Sequence, residues 1–262
     1  MRRREFLAGA MLAGVLPHAR QELPPSAGTA DRTLLEDLVA AYHILAEQGV
    51  LDAFGHVSVR HDRDPNRYLL SRSVAPALVN EEDFIEYDLD SNPVNARGRS
   101  QFLERFIHGQ IYKVRKDVNA VVHSHSPSVV PFGASTVPLR PVYHMAAFIG
   151  EGLPTFDIRK AAGMTDMLVS NPERGRALAG TLASHPAVLM RGHGVVVVGA
   201  SLPFAVGRSV YLELNARIQT QAVALGGRVT YLDPEEAKNV LDAGENGGYQ
   251  RAWELWKRKV TR

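Results

Sequence analysis

The chain contains no cysteine, which excludes a disulfide framework and thiolate chemistry and leaves only nitrogen and oxygen to hold any metal. It carries no strong excess of either charge. The formal net charge is +2, and no basic run continues past the N-terminus, so the electrostatic footprint of a nucleic-acid partner is missing. No apolar run reaches the ~20 residues of a membrane-spanning helix, so no stable membrane anchor is expected. There is no internal repeat and no low-complexity tract. What is present is an ordinary globular composition: 262 residues, 45% hydrophobic and 22% charged, enough for one sizeable core.

The first thirty residues read as a separate unit. Arg3-Arg4-Glu5-Phe6-Leu7 precedes a short apolar stretch ending at Leu16, then the linker Pro24-Pro25-Ser26-Ala27-Gly28. The order basic, apolar, Pro/Ser/Gly is that of a signal peptide, and the paired arginines resemble a twin-arginine export signal. The expectation is residues 1–30 as signal and linker, 31–262 as the functional domain, and a periplasmic destination.

Beyond the linker, apolar periodicity alternates between helix and strand. Asp31 caps a predicted helix with apolar positions from Leu34 to Leu45, ending before Gly49. Val57–Arg60, Tyr68–Ser71 and Phe84–Leu89 read as strands, and Phe102–Val114 as one helix. Ala120–His123 reads as a strand, with a helix opening at Ser126 or Pro127. Pro172–Leu182 is helical, and two strands flank His193. Leu202–Leu225 is the longest helix, stopped by Gly226-Gly227. Pro234–Leu241 and Tyr249–Lys257 are terminal helices. The mixture predicts one α/β domain with a layered sheet.

The chemistry concentrates in histidines. His123 and His125 stand two apart at a strand end, so their side chains share a face. His193 sits between two apolar runs, flanked by Gly192 and Gly194 that let the backbone turn sharply. Three neutral imidazoles from two strand ends make a site for one divalent cation with positions open to a substrate. Zinc and manganese head the expectation, and cobalt and iron also accept such ligands. Glu104 and His108 lie at i, i+4 spacing. Spacing alone leaves open whether they are a solvated pair or whether Glu104 reaches the metal as an acid/base. His43, His61 and His185 have no partner pattern and read as surface or packing residues. Tyr211, Trp253 and Trp256 read as core or interface.

Taken in order, Gly55-His56-Val57-Ser58-Val59-Arg60, Leu70-Ser71-Arg72-Ser73, Glu104 with His108, Ala120 to His125, and Arg191-Gly192-His193-Gly194 with the run to Gly199 resemble the class II aldolase/adducin family. The resemblance spans nearly all of the chain after Asp31. It implies a three-layer α/β/α fold around a mostly antiparallel central sheet, and a homo-oligomer, usually a tetramer. It implies one metal ion per subunit on His123, His125 and His193, with Glu104 as the catalytic carboxylate.

The departures from the family's sugar-phosphate aldolases shift the substrate. Phe102-Leu103 replaces two serines before the glutamate, and neither can donate a side-chain hydrogen bond to a phosphate. His56 and Arg72 stand instead near an apolar lining, and Arg suits a carboxylate. The segments Val122 to Phe132 and Pro141 to Phe148 resemble the branch that decarboxylates hydroxylated aromatic dicarboxylates. The expected substrate-binding residues are His56, Ser71, Arg72, Ser73 and His144. Ser71 and Ser73 either bond a ligand or close a turn, and His144 either lines the pocket or packs in the core.

The leading expectation is a metal-dependent carbon–carbon lyase, decarboxylase or aldolase, acting on a small, non-phosphorylated, carboxylate-bearing hydroxy/keto or aromatic molecule. An oxygenase using the same histidines on iron is the alternative enzyme class. An adducin-like binding protein is the non-catalytic alternative, weakened by the presence of all three ligands and Glu104.

Overall fold

The computed structural model describes residues 25–261, so most of the signal-like segment lies outside the described residues. The order of elements is α1 (Arg32–Glu47), β1 (His56–Arg60), β2 (Arg67–Ser71), β3 (Phe84–Asp88), α2 (Phe106–Val114), β4 (Ala120–Ser124), α3 (Val130–Ala134), β5 (Thr155–Phe156), α4 (Ile158–Ala162), α5 (Pro172–Leu182), β6 (Ala187–Met190), β7 (Gly194–Gly199), α6 (Leu202–Ala224), α7 (Pro234–Asp242) and α8 (Glu245–Val260).

The strands form one seven-stranded sheet in the order β3-β2-β1-β4-β7-β6-β5. Every pairing is antiparallel except β5 with β6. Period-2 alternation divides the side chains between two cores. Val122, Val195, Val197 and Leu189 join α1, α6 and α8 on one face. Val121, Val196, Val198 and Val188 join α2 and α5 on the other. The result is the expected three-layer α/β/α arrangement. It also explains why the central strands read as continuous apolar runs although they are antiparallel: both faces are covered.

Sequence and structure differ in several places. The expected helix over 102–114 is broken: Leu103–Arg105 is a 3-10 turn, with Glu104 at φ −89°, ψ 15°, and α2 starts only at Phe106. The helix expected from Ser126 begins later, at Val130, after a turn in which Ser126 and Ser128 bind Glu213 of α6. The expected linker, Pro24 to Gly28, also bonds to the domain through residues 26–28. Ser26 Oγ and Ala27 N donate to the buried Glu86 carboxylate at 2.5 and 2.8 Å, and Gly28 O meets His61 Nε2 at 3.2 Å. Those bonds satisfy a buried charge and join the segment to the domain. Asp31 caps α1 as expected, accepting from Thr33 N.

Candidate metal centre

The site stands at one end of the two central strands. β4 delivers His123 at its end and His125 just beyond it. β6 and β7 are joined by the turn holding Gly192, at φ +63°, and His193. Gly194 is required by close approach: a Cβ there would lie 2.1 Å from the Ser124 carbonyl oxygen. That contact brings His193 beside His125. Their Nε2 atoms are 3.1 Å apart. Glu104 enters from the 3-10 turn on the α2 side. Its Oε2 lies 3.4 Å from His123 Nε2 and 3.5 Å from His193 Nε2.

Hydrogen bonds behind the rings set their orientation. His123 Nδ1 lies 3.2 Å from the Val195 carbonyl, and His193 Nδ1 lies 3.2 Å from the Met167 carbonyl. A carbonyl can only accept, so both Nδ1 atoms carry the hydrogen and both Nε2 lone pairs face the centre. His123 Nε2 is buried and has no hydrogen-bond partner. One ligand atom from each of Glu104, His123, His125 and His193 falls within 4.8 Å of every other. In a tetrahedral site with Zn–N near 2.0–2.1 Å, ligand atoms lie about 3.3–3.4 Å apart. Three of the separations, 3.1, 3.4 and 3.5 Å, lie close to that spacing, and the others stay within 4.8 Å. An orphaned lone pair and imidazoles converging at coordination spacing fit a divalent cation.

The electrostatics agree. Burial lowers the His125 pKa to about 4, helped by His123 and His193, so its imidazole is neutral at pH 7. Burial works against charge on Glu104, but His123 and His193 beside it outweigh that and hold its carboxyl well below the usual range. On His193, burial is outweighed by the Glu104 carboxylate, and the pKa rises. The second oxygen, Glu104 Oε1, accepts from Val169 N at 2.9 Å, which fixes the carboxylate's direction.

A cavity of about 440 Å³ opens onto this cluster, a size that suits a small molecule. Glu104, His123, His125, His56 and Ser73 line it, with Phe54, Phe102 and Leu103 as apolar walls. Phe54 and Leu103 are 64% and 61% exposed, so the mouth offers two large apolar groups to whatever enters. Phe54 stacks near His125, ring centroids 6.2 Å apart, and Phe102 lies 4.6 Å from His56.

Not every expected substrate residue reaches the cavity. Ser71 is buried and donates to Tyr42 Oη at 3.0 Å, a core contact. Arg72 Nε binds Asp83 Oδ1 at 2.6 Å, so its fork is engaged on one edge by a neighbour, and it does not line the cavity. His144 lines a different, smaller cavity of about 220 Å³ with Phe148, Leu241 and Tyr249. His56 and Ser73 are the two that remain at the metal side. His43 and His61 contact the backbone at Val79 O and Gly28 O, and His185 is exposed. Trp253 and Trp256 are buried in the core on the α6 side, and Tyr211 is partly buried against it.

His108, whose role its spacing to Glu104 leaves open, has its partners on β1. It is completely buried, with Nε2 2.7 Å from His56 Nδ1 and Nδ1 2.6 Å from Ser58 Oγ. Burial lowers its pKa to about 3. No sequence signal marks it: the helix reads FIHGQIYKV with polar Gln110 and Lys113, yet the fold buries every position from Ile107 to Tyr112.

Residues 36–220 match the Class II Aldolase and Adducin N-terminal domain. Decarboxylase tropJ of Talaromyces stipitatus is 35% identical over 245 residues, covering 85% of this chain and 92% of that protein. A 3,4-dihydroxyphthalate decarboxylase of Arthrobacter keyseri is 29% identical over 236 residues, covering 83% and 90%. Among solved structures, the L-fuculose 1-phosphate aldolase of Glaciozyma antarctica superposes with a TM-score of 0.73 at 23% identity, covering 90% of this chain and 93% of that one.

Proposed function

The chain belongs to the class II aldolase/adducin family, and within it we propose a metal-dependent carboxy-lyase acting on a hydroxylated aromatic carboxylate. The observation that carries this reading is the cavity itself: a candidate cation site with an apolar mouth, and Phe102-Leu103 immediately before Glu104. The two relatives described above are themselves named decarboxylases, one of them of a dihydroxyphthalate. An aromatic ring suits walls made by Phe54 and Leu103, and two hydroxyls or a hydroxyl and a carboxylate suit a cation.

His123, His125 and His193 would hold one divalent ion, with zinc or manganese the best candidates. When bound, it supplies positive charge beside the oxygen on which negative charge gathers as the carbon–carbon bond breaks. The chain's own residues do the rest. Glu104 takes the proton of the substrate hydroxyl. The bond to the carboxylate then breaks, carbon dioxide leaves, and its electron pair stays on the ring. The protonated Glu104 carboxyl returns its proton to the carbon that lost the carboxylate, so charge and atoms balance. Phe54 and Leu103 cover the ring and keep water from the reacting carbon. His56 and Ser73 orient the remaining polar groups. A homotetramer, and export of the folded enzyme to the periplasm by the twin-arginine-like signal within residues 1–30, belong to the same reading.

The test is turnover of a panel of hydroxylated benzoates and phthalates without oxygen, using zinc- or manganese-loaded protein. One carbon dioxide per substrate consumed is expected. An absolute need for iron and oxygen would make the protein an oxygenase, and aldehyde release without carbon dioxide would make it an aldolase.

A further inference from the structure

Behind His56 runs a buried chain of hydrogen bonds that no step above uses. His56 Nδ1 meets His108 Nε2 at 2.7 Å, His108 Nδ1 meets Ser58 Oγ at 2.6 Å, and Ser58 Oγ meets Tyr112 Oη at 2.8 Å. All four side chains are buried. The next acceptor, Asn119 O, is 3.5 Å from Tyr112 Oη, beyond the usual range for a hydroxyl donor.

The direction of this chain can be counted. A neutral imidazole has one N–H, and each hydroxyl has one hydrogen. If the hydrogens ran from His56 towards Tyr112, the Tyr112 hydrogen would end on the stretched contact to Asn119, and a buried donor would be left poorly satisfied. If they run the other way, Tyr112 donates to Ser58, Ser58 donates to His108 Nδ1, and His108 Nε2–H donates to His56 Nδ1. Every hydrogen inside the chain then has an acceptor within 2.8 Å, and the His56 Nε2–H is the one left for a ligand. This second direction leaves His56 with its hydrogen on Nε2. Nδ1 is occupied by His108, so Nε2 is the nitrogen left to the cavity that His56 lines.

We propose that His56 is a fixed N–H donor to an anionic oxygen of the substrate, and that His108, Ser58 and Tyr112 are positioning residues that impose this polarity. The site therefore selects an acceptor, such as a carboxylate, at the place where His56 points. A free imidazole could rotate or change tautomer to suit a donor or an acceptor, whereas this one is held to a single role. The inference rests on the carboxy-lyase reading only for the identity of the acceptor.

Long-range proton–nitrogen correlation spectra of zinc-loaded, histidine-labelled protein read the tautomers directly, with assignments from His56→Phe and His108→Phe. His56 and His108 are both expected as Nε2–H. Binding of 2,3-dihydroxybenzoate is then compared with that of catechol, which lacks the carboxylate. The intact protein should prefer the acid by about tenfold or more, the scale of a charge-assisted bond. His56→Phe should abolish that preference with metal content unchanged. His108→Phe should reduce it and His108→Gln restore it, because the Gln amide can donate in place of Nε2–H. Ser58→Ala, a smaller change, should also weaken the preference if His108→Phe does not fold. An Nδ1–H tautomer at His56, or an undiminished preference in His56→Phe, would overturn the inference. If tautomer and preference hold but no hydroxyaromatic acid loses carbon dioxide, the inference stands and the carboxy-lyase reading falls.

Discussion

Replacing Gly194 with alanine should damage stability and metal binding together. Its added methyl would sit 2.1 Å from the Ser124 carbonyl oxygen and 3.1 Å from its carbon, both backbone atoms that cannot swing aside. Ser124 separates His123 from His125, and it pairs with Val195 across the β4–β7 ladder. Relief therefore requires the start of β7 to move away from β4, which carries His193 away from His125. Overpacking of this kind costs about 1–3 kcal/mol. For a domain of this size each kcal/mol lowers the thermal midpoint by roughly 2–4 °C, so a fall of about 2–12 °C is expected. Displacing a ligand-bearing turn should also weaken zinc by roughly tenfold or more, as loss of ligand-orienting contacts does. Gly180→Ala is the control. It lies inside α5 with nothing within 4 Å of the added methyl, and should gain up to about 1 kcal/mol of helix propensity without touching the metal. Thermal melts and zinc competition against a chromophoric chelator measure both quantities. A Gly194→Ala protein with wild-type melting and wild-type zinc affinity would refute the claim that strand approach builds the site.

Glu104→Gln keeps the shape of the side chain but cannot carry the proton. Zinc should still bind and turnover should fall by about a hundredfold or more, as measured by carbon dioxide release; normal turnover with lost metal would make Glu104 a ligand only. The metal-free protein should lose stability on acidification. His125 and His108 have folded pKa values near 4 and 3, below the ordinary 6.5, so between about pH 6.5 and 4 the unfolded chain binds protons that the folded one refuses. His193 runs the other way: Glu104 raises its pKa, so its contribution is present at low pH and lost as pH rises through the folded value. With His56 also lowered by burial, three lowered groups against one raised group predict a lower denaturant midpoint at pH 5 than at pH 7, and equal midpoints would contradict this. Changing Arg3 and Arg4 to lysine should hold the precursor in the cytoplasm, read by fractionation; mature protein still reaching the periplasm would dismiss the export proposal.

Much of this structure could be read from the chain because its signals are local. Apolar runs around Val121 and Val196 mark central strands, Asp31 marks a helix start, and glycines beside His193 mark a turn. What escaped depends on contacts distant in sequence. Glu104 leaves the helical pattern because its carboxylate is held by Val169 N, 65 residues away. His108 has i, i+4 spacing to Glu104, yet its partners are His56 and Ser58 on β1. Arg72 has the chemistry of a carboxylate binder but meets Asp83, and no local pattern announces that pairing. Residues 25–28 have linker composition, and no local pattern announces the contacts with Glu86 and His61 that tie them to the domain. β5 and α4 are too short to show a period and are held by their neighbours in the fold.

The most direct test of the central claim is the metal content of the purified protein and of three single variants, His123→Ala, His125→Ala and His193→Ala. About one divalent ion per subunit is expected in the intact chain, and a loss of most of it in each variant, with far-ultraviolet circular dichroism unchanged. Full metal occupancy in His123→Ala, or an intact protein that takes up no divalent cation when offered zinc or manganese, would contradict it.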